Sequence, residues 1–83
     1  MTIGMGNTHN RPEPGTTVLL KSVPPGLLDG LPQRDQRAIT AIVGQPVRLV
    51  DYDDMGRAEL EFTDKKGDIH YIYVKPEYLR PAE

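Results

Sequence analysis

From Val47 onward the chain alternates apolar and polar residues in three short runs, V-R-L-V-D-Y, R-A-E-L-E-F-T and D-I-H-Y-I-Y-V, separated by D-D-M-G and D-K-K-G. A period of two sends successive side chains to opposite faces of a strand, and each separator is a type I turn sequence ending in Gly. The pattern predicts a three-stranded meander. A three-residue second loop with Gly67 at the bulge position sets Asp64 opposite Asp68. Ala58, Leu60 and Phe62 then pair with Val74, Ile72 and His70 on one face, while Glu59 and Glu61 pair with Tyr73 and Tyr71 on the other. A four-residue first loop brings Val47 and Leu49 to Phe62 and Leu60 and sets Arg48 opposite Glu61, so both loops bury the same face.

Upstream, T-T-V-L-L-K-S-V at 16–23 is rich in β-branched and aliphatic residues and is stopped by Pro24-Pro25-Gly26, which predicts a first strand. Between Leu31 and Gly44 the apolar positions Leu31, Ala38, Ile39, Ile42 and Val43 recur at about 3.6 residues, the period of an amphipathic helix. The helix is expected over about 32–43. Pro32 suits its first position, Gly44 can close it in the left-handed conformation, and Pro46 blocks its continuation. Residues 1–15 hold three Gly and two Pro with almost no apolar periodicity, and read as a flexible N-terminal arm. At the other end, Pro76 starts a single turn before a short last strand or tail around Leu79.

One strand, an excursion with a helix, a meander of three, a short turn and a last strand is the element order of a small five-stranded SH3-like barrel. The string V-x-P-E-Y-L at 74–79 resembles the V-P-x-N-Y-V ending of that fold. The resemblance spans 16–80 in element order, with 16–83 as a single SH3-like barrel domain, and the helix is expected to plug one open end of that barrel with Ile39 and Ile42. SH3 domains that take proline-rich peptides use a Trp after the first turn of the meander, and this chain has none. G-L-L-D-G-L-P-x-x-D-Q-x-A-I at 26–39 and Y-D-x-x-G-R-A-E-L-E-F at 52–62 resemble a group of short uncharacterised bacterial proteins. That likeness implies a bacterial origin and brings no activity with it.

Composition narrows the picture. With 83 residues, 37% hydrophobic and a single Phe, the chain closes one thin core at most. The net charge is −2, and the acidity lies after residue 44, so nothing here resembles a surface built to neutralise phosphates. Zero Cys excludes thiolate metal sites, thiol nucleophiles and redox pairs, and is compatible with a cytoplasmic protein. The apolar runs are as short as Val18-Leu19-Leu20, so no membrane span is expected.

Candidate chemistry thins out quickly. Asp51, Asp53, Gly56 and Glu59 match the first, third, sixth and ninth positions of a calcium loop, but Met55 and Phe62 stand where two further ligands belong. A hairpin turn with solvated carboxylates is the better reading. The lone Ser22 and His70 lack any nucleophile-elbow spacing, and His70 fits the rim of the sheet beside Phe62. His9 and His70 share no metal-ligand spacing, and Gly4-Met5-Gly6 lacks the strand and helix that a phosphate loop requires. No metal, cofactor or catalytic residue is expected. The polar side of the helix, with Gln33, Arg34, Gln36, Arg37 and Thr40, reads as an ordinary solvated face.

The informative feature is the second face of the meander, where Tyr71 and Tyr73 alternate with Glu59 and Glu61 and where Val50 and Tyr52 are expected. Tyr offers rigid apolar contact area with a polar tip, which suits an interface, although such Tyr–Glu pairs can also simply cover a sheet or lie beneath the helix. The sequence therefore points to a non-catalytic protein-interaction module or small accessory subunit. Its expected binding residues are Tyr52, Tyr71, Tyr73 and Tyr78 with Glu59 and Glu61. The alternatives are a nucleic-acid-associated barrel, which the acidic surroundings of the tyrosines disfavour, and a non-catalytic subunit of an enzyme complex. An edge strand, Thr16–Val23 or the Leu79 segment, could also pair across a two-fold axis to make a homodimer.

Overall fold

A computed structural model describes residues 11–82 of the chain. The first strand, β1, is Thr17–Leu20, and a loop through Pro24 and Pro25 leads to the helix α1, Gln33–Ala41. Three longer strands follow, β2 (Pro46–Tyr52), β3 (Ala58–Thr63) and β4 (Ile69–Val74), then a 3-10 turn at Pro76–Tyr78 and a last strand β5 at Leu79–Pro81. All five join one antiparallel sheet in the order β4-β3-β2-β1-β5. The fold is mainly β with one short helix. β4 and β5 remain unpaired edges, so the described strands form an open sheet and not a closed barrel.

The β3–β4 register follows from its turn. Asp64 N–H donates to Asp68 O at 2.9 Å and Gly67 N–H to Asp64 O at 3.0 Å, with Gly67 at φ 91°. That positive φ is open to Gly at little cost and closes a three-residue loop with a bulge. Ala58, Leu60 and Phe62 accordingly pair with Val74, Ile72 and His70.

The first loop departs from expectation. Asp53 N–H donates to Arg57 O at 2.8 Å and Gly56 N–H to Asp53 O at 2.9 Å, so D-D-M-G-R and D-K-K-G-D build the same turn. This loop has three residues, one fewer than expected. Arg48 still meets Glu61 and Leu49 still meets Leu60, because the surplus residue is taken up by a bulge at Val50 before Asp51 pairs with Glu59. A bulge breaks the alternation of faces, and Tyr52 lands opposite the buried Ala58, on the core side of the sheet.

Eleven apolar residues are buried, with no buried polar residue among those described, and the largest fully enclosed ones are Val18, Leu20, Leu49 and Leu60 on β1, β2 and β3. The helix packs on this same face. Pro32 caps α1 from an extended conformation at ψ 150° and does not enter the first turn, while Asp35 and Gln36 N–H both donate to its carbonyl. Ile39 is buried, and Ile42 packs half-buried against the core just beyond α1. Gly44, at φ 81°, donates its N–H to Leu20 O and so ties the end of the helical segment to β1. Leu27, Leu28 and Leu31 of the preceding loop also pack on the core.

Of the expected N-terminal arm, residues 1–10 lie outside the described residues. The remainder is held to the sheet, since Gly15 N–H donates to Leu49 O at 2.7 Å and Leu49 N–H donates to Thr16 O at 2.9 Å. No helix among the described residues is long and apolar enough to cross a membrane.

Leu60 sits at the centre of this core with 0% exposure, so Leu60→Ala should lower the unfolding free energy by about 2–5 kcal/mol. Ile69→Ser, at an exposed position, should change it by less than about 0.5 kcal/mol. Urea unfolding followed by circular dichroism measures both, and equal losses would contradict this placement of the core.

Candidate functional site

Alternation on β4 sends His70, Ile72 and Val74 inward and Ile69, Tyr71 and Tyr73 outward. The outward three are 57%, 54% and 43% exposed, and with Met55 they are the large apolar side chains most open to water among the described residues. Tyr71 lies opposite Glu61 and Tyr73 opposite Glu59, both on β3. The helix is on the other face, so it leaves these rings uncovered. Tyr73 is flanked by Glu59, whose negative charge, with some desolvation, holds the phenol above its ordinary value of 10.0. The Arg57 guanidinium lies 5.5 Å from the centre of the same ring, a cation–π contact that orients it.

The four tyrosines do not form one cluster. Tyr71 and Tyr73 share the outer face, whereas Tyr52 and Tyr78 are half-buried and pack against the core. Tyr52 is moved by the Val50 bulge, and its hydroxyl donates to Pro12 O at 2.6 Å while Arg11 stacks over its ring at 4.0 Å. Desolvation raises its phenol above 10.0, and the Arg11 charge partly offsets that rise. Tyr52 thus fastens residues 11–15 to β2. Tyr78 is held in the 3-10 turn, where its carbonyl accepts from Lys21 N–H at 2.8 Å. Ile69 was missed as a site residue; its signal was the I-x-Y-x-Y alternation of 69–73, which continues the tyrosine stripe by one position.

β4 is also an edge, and its sequence I-H-Y-I-Y-V contains no acidic residue, Lys, Arg or Pro. Its pairing with β3 is unbroken by any bulge. Edge strands usually carry one of these devices against pairing with another chain. The opposite edge does, since β5 is only three residues long and ends in Arg80 and Pro81. β1, expected as a candidate edge, lies between β2 and β5.

Of the residues weighed for catalysis and metal binding, Asp51, Asp53 and His70 make hydrogen bonds within the fold, while His9 and Gly4–Gly6 lie outside the described residues. Asp53 Oδ1 accepts from Met55 and Arg57 N–H at 2.9 and 2.8 Å, and Oδ2 takes Arg57 Nε at 2.7 Å. Desolvation is the largest single influence on Asp53 and raises it, but the hydrogen bonds from Arg57 and Met55 outweigh it and hold the carboxyl below 3.8. Asp51 Oδ1 accepts from Tyr52 N–H, so the calcium-loop positions serve the hairpin. Among the described residues no group of three or more His, Asp and Glu gathers in a way that could hold a metal.

His70 is stacked on Phe62 with ring centres 5.1 Å apart, at the rim of the core. Its Nε2 lies 2.7 Å from Asp64 Oδ2, and its Nδ1 lies 3.9 Å from Asp35 Oδ1 on α1. Asp64 Oδ1 accepts from Lys66 and Asp68 N–H at 2.8 and 3.0 Å. The His70 hydrogen bond is the largest influence on Asp64; with the Asp68 and Lys66 amides it outweighs desolvation and holds the carboxyl below 3.8. Ser22 is exposed, and both ring nitrogens of His70 face carboxylates. The chain defines a small mainly β domain with an uncovered aromatic edge. No family model, curated protein or solved structure matches it.

Because the folded pKa of Asp64 is depressed, its contribution to stability is complete above the unfolded value of 3.8 and is lost as pH falls through the lower folded value. Asp64→Asn should therefore lower the urea midpoint at pH 6 and flatten its decline below about pH 4, and an unchanged acid limb would contradict this role. Tyr52→Phe removes the hydroxyl that reaches Pro12 and should cost about 0.5–1.5 kcal/mol in the same assay.

Proposed function

We propose that this chain is a non-catalytic protein-interaction module whose contact surface is the outer face and free edge of β4. The observation that carries the reading is the coincidence on one strand of two features, an exposed Ile69-Tyr71-Tyr73 stripe and an edge without charge, proline or bulge. A partner strand added to that edge would satisfy the unpaired backbone groups of β4 and lay its side chains against the tyrosines. Glu59 and Glu61, set beside the rings, would supply acceptors to the partner's donors. A second copy of the chain could occupy the same edge and form a homodimer.

The finer fold reading belongs to the same proposal. The order β4-β3-β2-β1-β5, with β1 between β2 and β5 and a 3-10 turn before β5, supports an SH3-like connectivity. The quoted strings at 26–39 and 52–62 and the absence of Cys support a bacterial, cytoplasmic setting. Nucleic acid is the second-ranked reading; the acidic neighbours of the tyrosines weigh against it, and absence of any retardation of labelled DNA or RNA at low salt would dispose of it.

The test is affinity capture from native lysate with wild type and Tyr71→Ala/Tyr73→Ala side by side, each first shown to be folded and sized by gel filtration. A partner, or a dimer, held by wild type and lost by the folded variant is the expected result. Equal capture by both proteins would overturn the assignment of this face.

A further inference from the structure

Away from the tyrosines, α1, the start of β2, the end of β3 and the β3–β4 turn enclose an open groove of about 980 Å³. Its apolar lining includes Ala38, Ile42, Val47 and Phe62. Arg34 and Arg37 line it from the helix, three residues apart and so on one face, with Arg48 on β2 and Lys65 and Lys66 on the turn. Four of the chain's ten Lys and Arg residues, Arg34, Arg37, Lys65 and Lys66, thus line one side of a single groove, while Arg48 and Glu61 meet at its rim where β2 and β3 turn to the outer face. The chain as a whole is at −2, so the groove runs against the charge of the molecule.

The two carboxylates that line the groove are already engaged. Asp64 accepts from the turn amides and His70, and Glu61 stands 4.0 Å from Arg48. Among the described residues, no carboxylate lies within ion-pair distance of Arg34, Arg37, Lys65 or Lys66. Four cations without an ion-pair partner around an apolar floor make a positive field that favours an anion carrying apolar surface. Residues 1–10 hold no Asp or Glu, so that end of the chain lacks the charge to serve as the occupant. Single-stranded nucleic acid would need a ring for its bases, and the one aromatic residue of the groove, Phe62, is 6% exposed and stacked on His70.

We propose that this groove docks an acidic peptide segment of a partner protein, with carboxylates on the Arg34–Arg37 and Lys65–Lys66 walls and an aliphatic side chain on the Ala38–Ile42 floor. This site stands apart from the β4 edge and does not rest on that edge being used.

A fluorescein-labelled peptide of glutamates around a central pair of leucines is titrated with the whole chain by anisotropy at low salt. A peptide with glutamine at every glutamate and a labelled oligo-dT run beside it. Wild type should bind the acidic peptide, weaken steeply with added salt, and bind the glutamine peptide and oligo-dT at least about tenfold more weakly. Arg34→Glu/Arg37→Glu and, separately, Lys65→Ala/Lys66→Ala change only exposed side chains; each should weaken acidic-peptide binding by about tenfold or more while keeping the wild-type dichroism spectrum. Tyr71→Ala/Tyr73→Ala should bind the peptide like wild type, which separates this site from the β4 edge. No binding by wild type, equal binding by either cation variant, loss in the tyrosine variant alone, or tighter binding of oligo-dT would overturn the proposal.

Discussion

An aspartate carboxylate that reaches forward to the amides of its own turn, followed three residues later by a glycine at positive φ, occurs twice in this chain. The rest of the sheet depends on that arrangement. Asp53 and Asp64 each satisfy two backbone N–H groups that water would otherwise have to solvate, and Gly56 and Gly67 supply the φ of 81° and 91° that closes the loop. A three-residue loop of this kind admits one register between its strands, and a shift by one residue would turn every core side chain of β3 or β4 to water. Register is therefore set locally along β3–β4, and beside the turn along β2–β3, where the bulge at Val50 shifts it further out. β1, β5 and the helix only have to find an apolar face that already exists.

What each face carries follows from that register. The inward positions of β2, β3 and β4 meet α1 and the leucines of the 24–32 loop on one side, and no helix or strand of the described chain covers the outward positions of β4. Two identical turns would leave the meander one residue out of step with the burial of Val47 and Leu49, and the bulge at Val50 absorbs the difference. Its consequence is the division of labour among the tyrosines. Tyr52, carried to the core side, donates its hydroxyl to Pro12, whereas Tyr71 and Tyr73 stay exposed on the outer face.

The parts of the fold legible in the sequence are those set by short-range chemistry. D-K-K-G and the alternation around it were enough for every pair from Ala58–Val74 to Phe62–His70, and the stacking of His70 on Phe62 follows from the same register. The spacing of Ala38, Ile39 and Ile42 was enough for the helix. The bulge was not legible, because D-D-M-G fits a loop of three or four residues, and the choice depends on strain shared along β2. Nor was the identity of the free edges, since β1 lies inside the sheet only because β5 returns to it from sixty residues away. The position of Tyr71 and Tyr73 was readable, while their lack of cover was not, because which face α1 packs on is decided by contacts distant in sequence. The basic groove was invisible for the same reason: Arg34 and Arg37 belong to an ordinary polar helix side until the fold brings Lys65 and Lys66 to line the same space.

The exposed face of β4 combines apolar ring area with hydrated polar tips. A Phe in place of Tyr71 or Tyr73 would present the same apolar area without a polar tip, and an exposed edge of that kind favours indiscriminate strand pairing. The phenol hydroxyls and the opposed Glu59 and Glu61 keep the face hydrated, and the negative charge repels sheets of the same kind approaching face to face. Under the proposed pairing, a partner would have to bring donors and a complementary strand to displace that hydration. If the proposed strand pairing at this edge holds, its specificity would rest on the same Tyr–Glu pairs that keep the face hydrated.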